Sequence, residues 1–200
     1  MHRKTPEPAS LLVLIMALVP SGCGINRLPS LDEQVKAAWS EVLNQYQRRS
    51  DLIPNLVETV KGYARQEQQV LTKVTEARAK ATQTQVQLPS DVLSNPAAFH
   101  QFEENQAALT GTLSRLLVAV ERYPNLKSDQ NFLALQSQLE GTENRIAVAR
   151  RDYINAVQAY NTALRTIPTR WTAAMFYPNL TLRQTFTISD QAQQVPQVKF

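Results

Sequence analysis

YPNLKSDQNFLALQSQLEGTENRIAVARRDYINAVQAYN, Tyr123 to Asn161, is the stretch whose reading decides the fold. At a seven-residue interval it presents Phe132, Leu139, Ile146, Tyr153 and Tyr160, with Ile167 next in the row. Three residues on from these come Leu135, Thr142, Ala149, Ala156 and Ala163. Large side chains on one row against small ones on the other are what a long helix needs to pack against neighbouring helices. Ser128 is the expected cap of this helix and Pro168 its limit, which gives a length of about 60 Å at 1.5 Å per residue.

Upstream, the same three- and four-residue spacing runs through Val35, Trp39, Val42, Tyr46, Arg49, Ile53, Leu56, Val60, Tyr63, Glu67, Val70, Val74, Ala77 and Ala81. Ser30 followed by Glu33 reads as a capping box at its start. Pro54 falls inside the run and removes one helix hydrogen bond, yet the apolar phase holds across it. The expectation is one long helix kinked at Pro54, with two helices split there as the alternative count. Thr82 to Asn95 loses the period and reads as a loop. Asn95-Pro96 then opens a helix through Phe99, Phe102, Gln106, Leu109, Leu113, Leu116 and Val120, which Pro124 closes.

The fold class expected is therefore all-α, an elongated antiparallel up-and-down bundle of three long helices, or four if the first divides at Pro54. Residues 31–168 form the bundle. Residues 169–200 lack a helical period and are expected as an extended tail.

The chain has 200 residues and a net charge of +4. Its basic residues are dispersed among acids, which argues against nucleic acid as a partner. Residues 1–22 have the order of a targeting segment. His2, Arg3 and Lys4 precede the apolar run Leu11–Val19, and Ser21 and Gly22 stand just before Cys23. That run is too short for a bilayer core, which needs roughly 20 residues. It looks like a bacterial lipoprotein signal, with Cys23 as the site of lipid attachment and residues 23–30 as a tether. Pro20 stands where such signals usually carry leucine, so conventional cleavage or a retained short anchor stay open. Gly24, by resemblance to lipoprotein sorting, points to an outer membrane.

Five segments together carry a resemblance to a known family. They are DEQVKAAWSEVLNQYQRRSDLIPNLVETVKGYARQE (Asp32–Glu67), ERYPNLKSDQNF (Glu121–Phe132), LQSQLEGTENRIAVARRDY (Leu135–Tyr153), AYNTALRTIP (Ala159–Pro168) and the closing VPQVKF. In this order and spacing the chain resembles the LemA family of bacterial envelope proteins. Two departures are Ile25-Asn26 where many members have Tyr-Asn, and a lipoprotein-like signal where many have a spanning helix. The resemblance implies an all-helical antiparallel bundle held at a membrane. It brings no established enzymatic activity.

The residues themselves offer little chemistry. Beyond Cys23 there is one histidine, His100, and the sequence His100-Gln-Phe-Glu103 reverses the Glu-x-x-His order of di-iron bundles. No metal, cofactor or catalytic residue is expected. Gly62, Gly111 and Gly141 stand alone in helical runs, with close helix approach as the reason expected for them. The informative polar residues are Arg49 and Glu67 on core-type positions, Glu143 and Arg150 at the seam edge, and Asp51 beside Arg48-Arg49. A buried charge without a partner costs several kcal/mol, so these residues are expected in cross-helix pairs that fix register. An exposed recognition patch is the other reading.

Three functions are compatible with this pattern. The leading one is a membrane-tethered, non-catalytic interaction or scaffolding domain of the cell envelope, with an envelope protein as partner. The second is an envelope enzyme using Glu121, Glu140 or Glu143, since two carboxylates across a cleft suffice for glycosidic hydrolysis. The third is a bundle that binds a lipid or other apolar ligand.

Overall fold

The computed structural model describes residues 25–187. Cys23, the apolar run before it and the closing VPQVKF lie outside the described residues. The alternating spacing forms helix as read, but begins a turn before Ser30: α1 spans Arg27–Tyr63. Leu28 is fully buried and extends the apolar stripe backwards. Pro29, in the first turn, removes only an N–H that has no intrahelical partner. The Ser30 N–H is bonded to the Asn26 carbonyl, so the expected capping box with Glu33 does not form.

Pro54 sits exposed within α1 and does not end it. The chain reverses instead at Ala64 and the 3-10 turn Arg65–Glu67, and α2 (Gln68–Val86) runs back along α1. Arg78 Nε donates to the Ser50 carbonyl, the Ser50 and Thr82 hydroxyls lie 2.8 Å apart, and Gln85 donates to the Leu43 carbonyl. One helix number rises as the other falls, which is the signature of antiparallel packing. The expected single kinked helix is thus two helices, and the bundle has four long members divided at Ala64–Glu67 rather than at Pro54. An apolar stripe looks the same whether the helix runs straight on or folds back through a tight turn, so periodicity could not separate the two. The buried set keeps its phase across the turn, with Ala64 and Leu71 seven residues apart and Val60 and Val74 fourteen.

α3 (Pro96–Val120) starts as read, with Asn95 Oδ1 accepting from the Ala98 N–H at 3.2 Å. A single turn, α4 (Pro124–Lys127), leads into α5 (Gln130–Arg165). Asp129, not Ser128, caps α5, its Oδ1 accepting from the Phe132 N–H at 2.9 Å. Ser128 Oγ donates back to the carbonyls of Pro124 and Asn125. The loop expected from Thr82 begins only at Gln87, because α2 continues to Val86. Residues expected to be extended open instead with a short helix, α6 (Thr169–Phe176), which buries Thr169 and Ala173.

Around the bundle the order is α3, α2, α1, α5. The closest pairs are α1 with α5 and α2 with α3, while α3 and α5 scarcely approach each other. Phe132, Leu139, Ile146, Tyr153 and Tyr160 are buried, as are Thr142, Ala149 and Ala163 from the small row. The core divides into two clusters. One gathers Trp39, Phe99, Phe102, Tyr153 and Phe186, and the other Ile53, Leu56, Leu116, Phe132 and Leu139 near the α1–α2 turn. A Cβ added at Gly62, Gly111 or Gly141 would meet nothing within 4 Å, so close helix approach is not what places these glycines.

Candidate functional site

Because α3 and α5 stand apart, a cleft opens between them with α1 as its floor. Its upper part, about 480 Å³, is lined by Tyr46 and Arg49 from α1, Glu103, Gln106 and Thr110 from α3, and Glu143 and Arg150 from α5. A lower part of about 420 Å³ continues past Thr110 and Glu143 to Leu56, Leu113, Leu139 and Glu140.

Arg49 is the partition between them. Its place in the stripe between Tyr46 and Ile53 turns it inward, and it is 1% exposed. Nη1 donates to Thr110 Oγ1 at 2.8 Å and to Glu143 Oε1 at 2.9 Å. Nη2 donates to Gln106 Oε1 at 2.6 Å and to the Gln106 carbonyl at 3.3 Å. Its guanidinium lies 5.0 Å from the Tyr46 ring centre. One α1 side chain therefore ties α3 to α5 where these helices do not pack directly. Nε alone is buried without a partner.

The tail seals the upper end. Thr181–Thr187 runs along α5, held by side chains that bind its backbone. Tyr160 and Tyr153 donate to the carbonyls of Thr181 and Gln184 at 3.1 and 2.7 Å. Asn161 grips the Arg183 main chain in both directions, donating to its carbonyl and accepting from its N–H. The Gln184 N–H donates to the Leu93 carbonyl at 2.7 Å. Phe186 enters the aromatic cluster, and Arg150 lies 4.2 Å over its ring. The Thr187 N–H donates to Glu103 Oε1 at 3.4 Å. Burial pushes the Glu103 carboxyl above its ordinary value, against the opposing pull of Thr187 and Arg150.

Asp32 locks the tail from the other side. Its Oδ1 accepts from Arg183 Nη2 at 2.6 Å and Nε at 3.0 Å, and Lys36 lies 3.0 Å from its Oδ2. Burial alone would raise this carboxyl, but the bonds from Arg183 and Lys36 outweigh it and hold the pKa below the ordinary 3.8. A depressed carboxylate contributes stability that is complete above its unfolded pKa and is lost as pH falls through the folded one. Asp32→Asn is expected to cost about 1–3 kcal/mol at neutral pH, as for a hydrogen bond to a charged group. The variant should also flatten the fall in stability below pH 3.8. Thermal unfolding across the acid range checks this, and equal acid slopes in both proteins would refute the lock.

The sequence-selected residues separate in space. Arg49 and Glu143 meet, and Arg150 faces Glu103 at 4.0 Å. Glu67 sits in the α1–α2 turn, not on a helical seam, and joins Arg122 at 2.6 Å and the Tyr123 hydroxyl at 3.1 Å. Asp51 is exposed and only accepts from Gln47 on its own helix. Arg48 and Arg145 are exposed. Glu121 is paired with Lys127, and Glu140 accepts from Gln136. His100 is a surface residue, 3.6 Å from Glu104. Asp32, Asn161 and Arg183 were not singled out from sequence. The available signal was a carboxylate within the apolar stripe Leu28, Asp32, Val35, Trp39.

Among the described residues no group of three histidine, cysteine or acidic side chains could hold a metal ion, and no helix is long and apolar enough to cross a membrane. The family model described as the LemA family matches residues 38–200. Among curated proteins the chain is similar to Magnetosome protein MamQ 2 and MamQ 1 of Paramagnetospirillum magneticum, each 23% identical over 74% of this chain and 60% of the relative. Magnetosome protein MamQ of Magnetospirillum gryphiswaldense is 22% identical over 81% of this chain and 63% of its own length. The chain thus spans less than two thirds of these relatives.

Proposed function

The chain belongs to the LemA family, and from that premise we propose that it is a membrane-tethered, non-catalytic interaction domain of the cell envelope. It takes an extended polypeptide segment of a partner in the cleft between α3 and α5. The observation that carries this reading is the protein's own tail. Thr181–Thr187 already occupies the head of the cleft as an extended chain, bound through its backbone by Tyr153, Tyr160 and Asn161 and anchored by Phe186. Backbone bonds supply affinity in such recognition, and a side chain in a pocket supplies selectivity. Below Thr187 the described residues line the cleft with Glu103, Arg150 and Glu143 as polar contacts and Leu113 and Leu139 as apolar ones. Glycosidic hydrolysis needs two free carboxylates flanking one bond. Here Glu143 is engaged by Arg49, Glu140 accepts from Gln136 on its own helix, and Glu121 is held at the surface by Lys127, which favours binding over chemistry.

A photo-crosslinking residue placed at Ala107, an exposed position on the cleft wall, tests the reading in the full chain in native membranes. A polypeptide adduct at Ala107 that is absent at Val118, which is exposed elsewhere on α3, is the expected result. No adduct, or equal adducts at both positions, would overturn it, and a lipid adduct would favour the apolar-ligand reading. Tethering is tested separately: Cys23→Ala should release a folded protein from membranes, and a variant that stays bound refutes the lipid anchor.

A further inference from the structure

Among the described residues, exposed apolar side chains gather at and just before α6. α6 turns Thr169 and Ala173 inward and leaves Trp171, Met175 and Phe176 exposed at 66%, 76% and 53%, with Ile167 beside them at 62%. Trp171 and Met175 are four residues apart and so adjacent on the outward face of the helix. α6 packs against α5 and α1. The beginning of α1 lies at the same end, since Arg27 shares a surface hollow with Thr162, Ala163 and Thr166 near the end of α5. Arg27 is four chain steps from Cys23, a distance of at most about 14 Å.

From the last turns of α5 through the tail, the described charged residues are all basic. From Tyr153 to Thr187 the sequence contains no Asp or Glu, and Arg165 and Arg170 are exposed within it, as is Arg27 at the start of α1. The nearest carboxylates on α1 are already engaged, Asp32 by Arg183 and Lys36, and Glu33 by Lys36. An exposed tryptophan and bulky apolar side chains flanked by arginines match the headgroup boundary of an acidic bilayer, where an indole is amphipathic and guanidinium groups meet lipid phosphates. We infer that α6 is a membrane-contact element. Trp171 and Met175 enter the headgroup–acyl boundary, and Arg27, Arg165 and Arg170 sit over it, so the bundle stands with this end against the bilayer. The orientation rests on the tether proposed above.

Trp171 is a built-in probe, because the other tryptophan, Trp39, is buried. The full chain would be reconstituted with vesicles of phosphatidylethanolamine and phosphatidylglycerol carrying brominated acyl chains, with Trp171→Phe providing the Trp39 background. Flotation and emission are read together. The expected result is a protein that floats and whose Trp171 emission falls by about half, as for an indole held roughly 5–10 Å into the boundary. A protein that floats with Trp171 unquenched and open to acrylamide overturns the α6 contact and leaves the tether standing. A protein that does not float overturns both. Emission that is already blue-shifted without vesicles, and unchanged by them, assigns the patch to self-association and overturns the membrane contact.

Discussion

Trp39→Ala is expected to destabilise the protein by about 3–5 kcal/mol, as for other large aromatic truncations in a packed core. The Trp39 ring is the hub of the upper core. Its centroid lies 5.1 Å from Phe102, 5.3 Å from Tyr153, 5.5 Å from Phe99 and 6.1 Å from Phe186. Those four rings come from α3, α5 and the tail, so one truncation loosens all three where they meet α1. For a domain of this size the loss corresponds to a fall in Tm of roughly 6–20 °C. Urea unfolding followed by circular dichroism measures it. A loss below about 1 kcal/mol, the ordinary effect of a single substitution, would mean that the cluster is not the centre of the core. The tail should respond as well, because Phe186 loses a ring contact while Gln184 keeps its bond to Leu93.

Arg49→Ala should cost about 2–4 kcal/mol, for a different reason. Glu143 is 42% exposed on its side chain and can return to water when the guanidinium is removed. Gln106 cannot: it is 5% exposed, and both its side-chain and main-chain oxygens lose a donor. A buried acceptor left without a partner costs about 1–3 kcal/mol, and the cavity adds to that. Arg49→Met should recover much of the loss, since apolar replacements of buried charges are often close to neutral. The two variants separate stability from site geometry, because both remove the partition that divides the cleft. If Arg49→Ala proved as stable as the parent protein, the bridge from α1 to α3 and α5 would not exist in solution.

Much of the cleft was within reach of the sequence. Arg49 sits on an apolar stripe, and a charge there needs a partner across helices; Glu143 occupies a seam edge on the helix that must pack opposite. The partners on α3, Gln106 and Thr110, were less visible. Their choice depends on α3 lying across the bundle from α1, with α2 between them, and that arrangement follows from the reversal at Ala64–Glu67. Read as one helix kinked at Pro54, Ser30 to Ala81 leave no α2 to separate α1 from α3.

The same physical distinction runs through the whole chain. Helix content, the buried rows of α5 and the asparagine cap of α3 are local properties, set by side-chain spacing and by backbone groups within a few residues, and the sequence alone determined them. The place of the first reversal, the cap moved from Ser128 to Asp129 and the α6 helix were decided by tertiary structure. Burial of Ala64 and of Ala173 against distant segments accompanies the reversal and α6, and the Tyr63 hydroxyl at the end of α1 donates to Asp129. The clamp of Asp32 on Arg183 shows this most plainly. Its two residues lie at opposite ends of the described chain, and only the antiparallel return of α5 along α1 brings them to 2.6 Å.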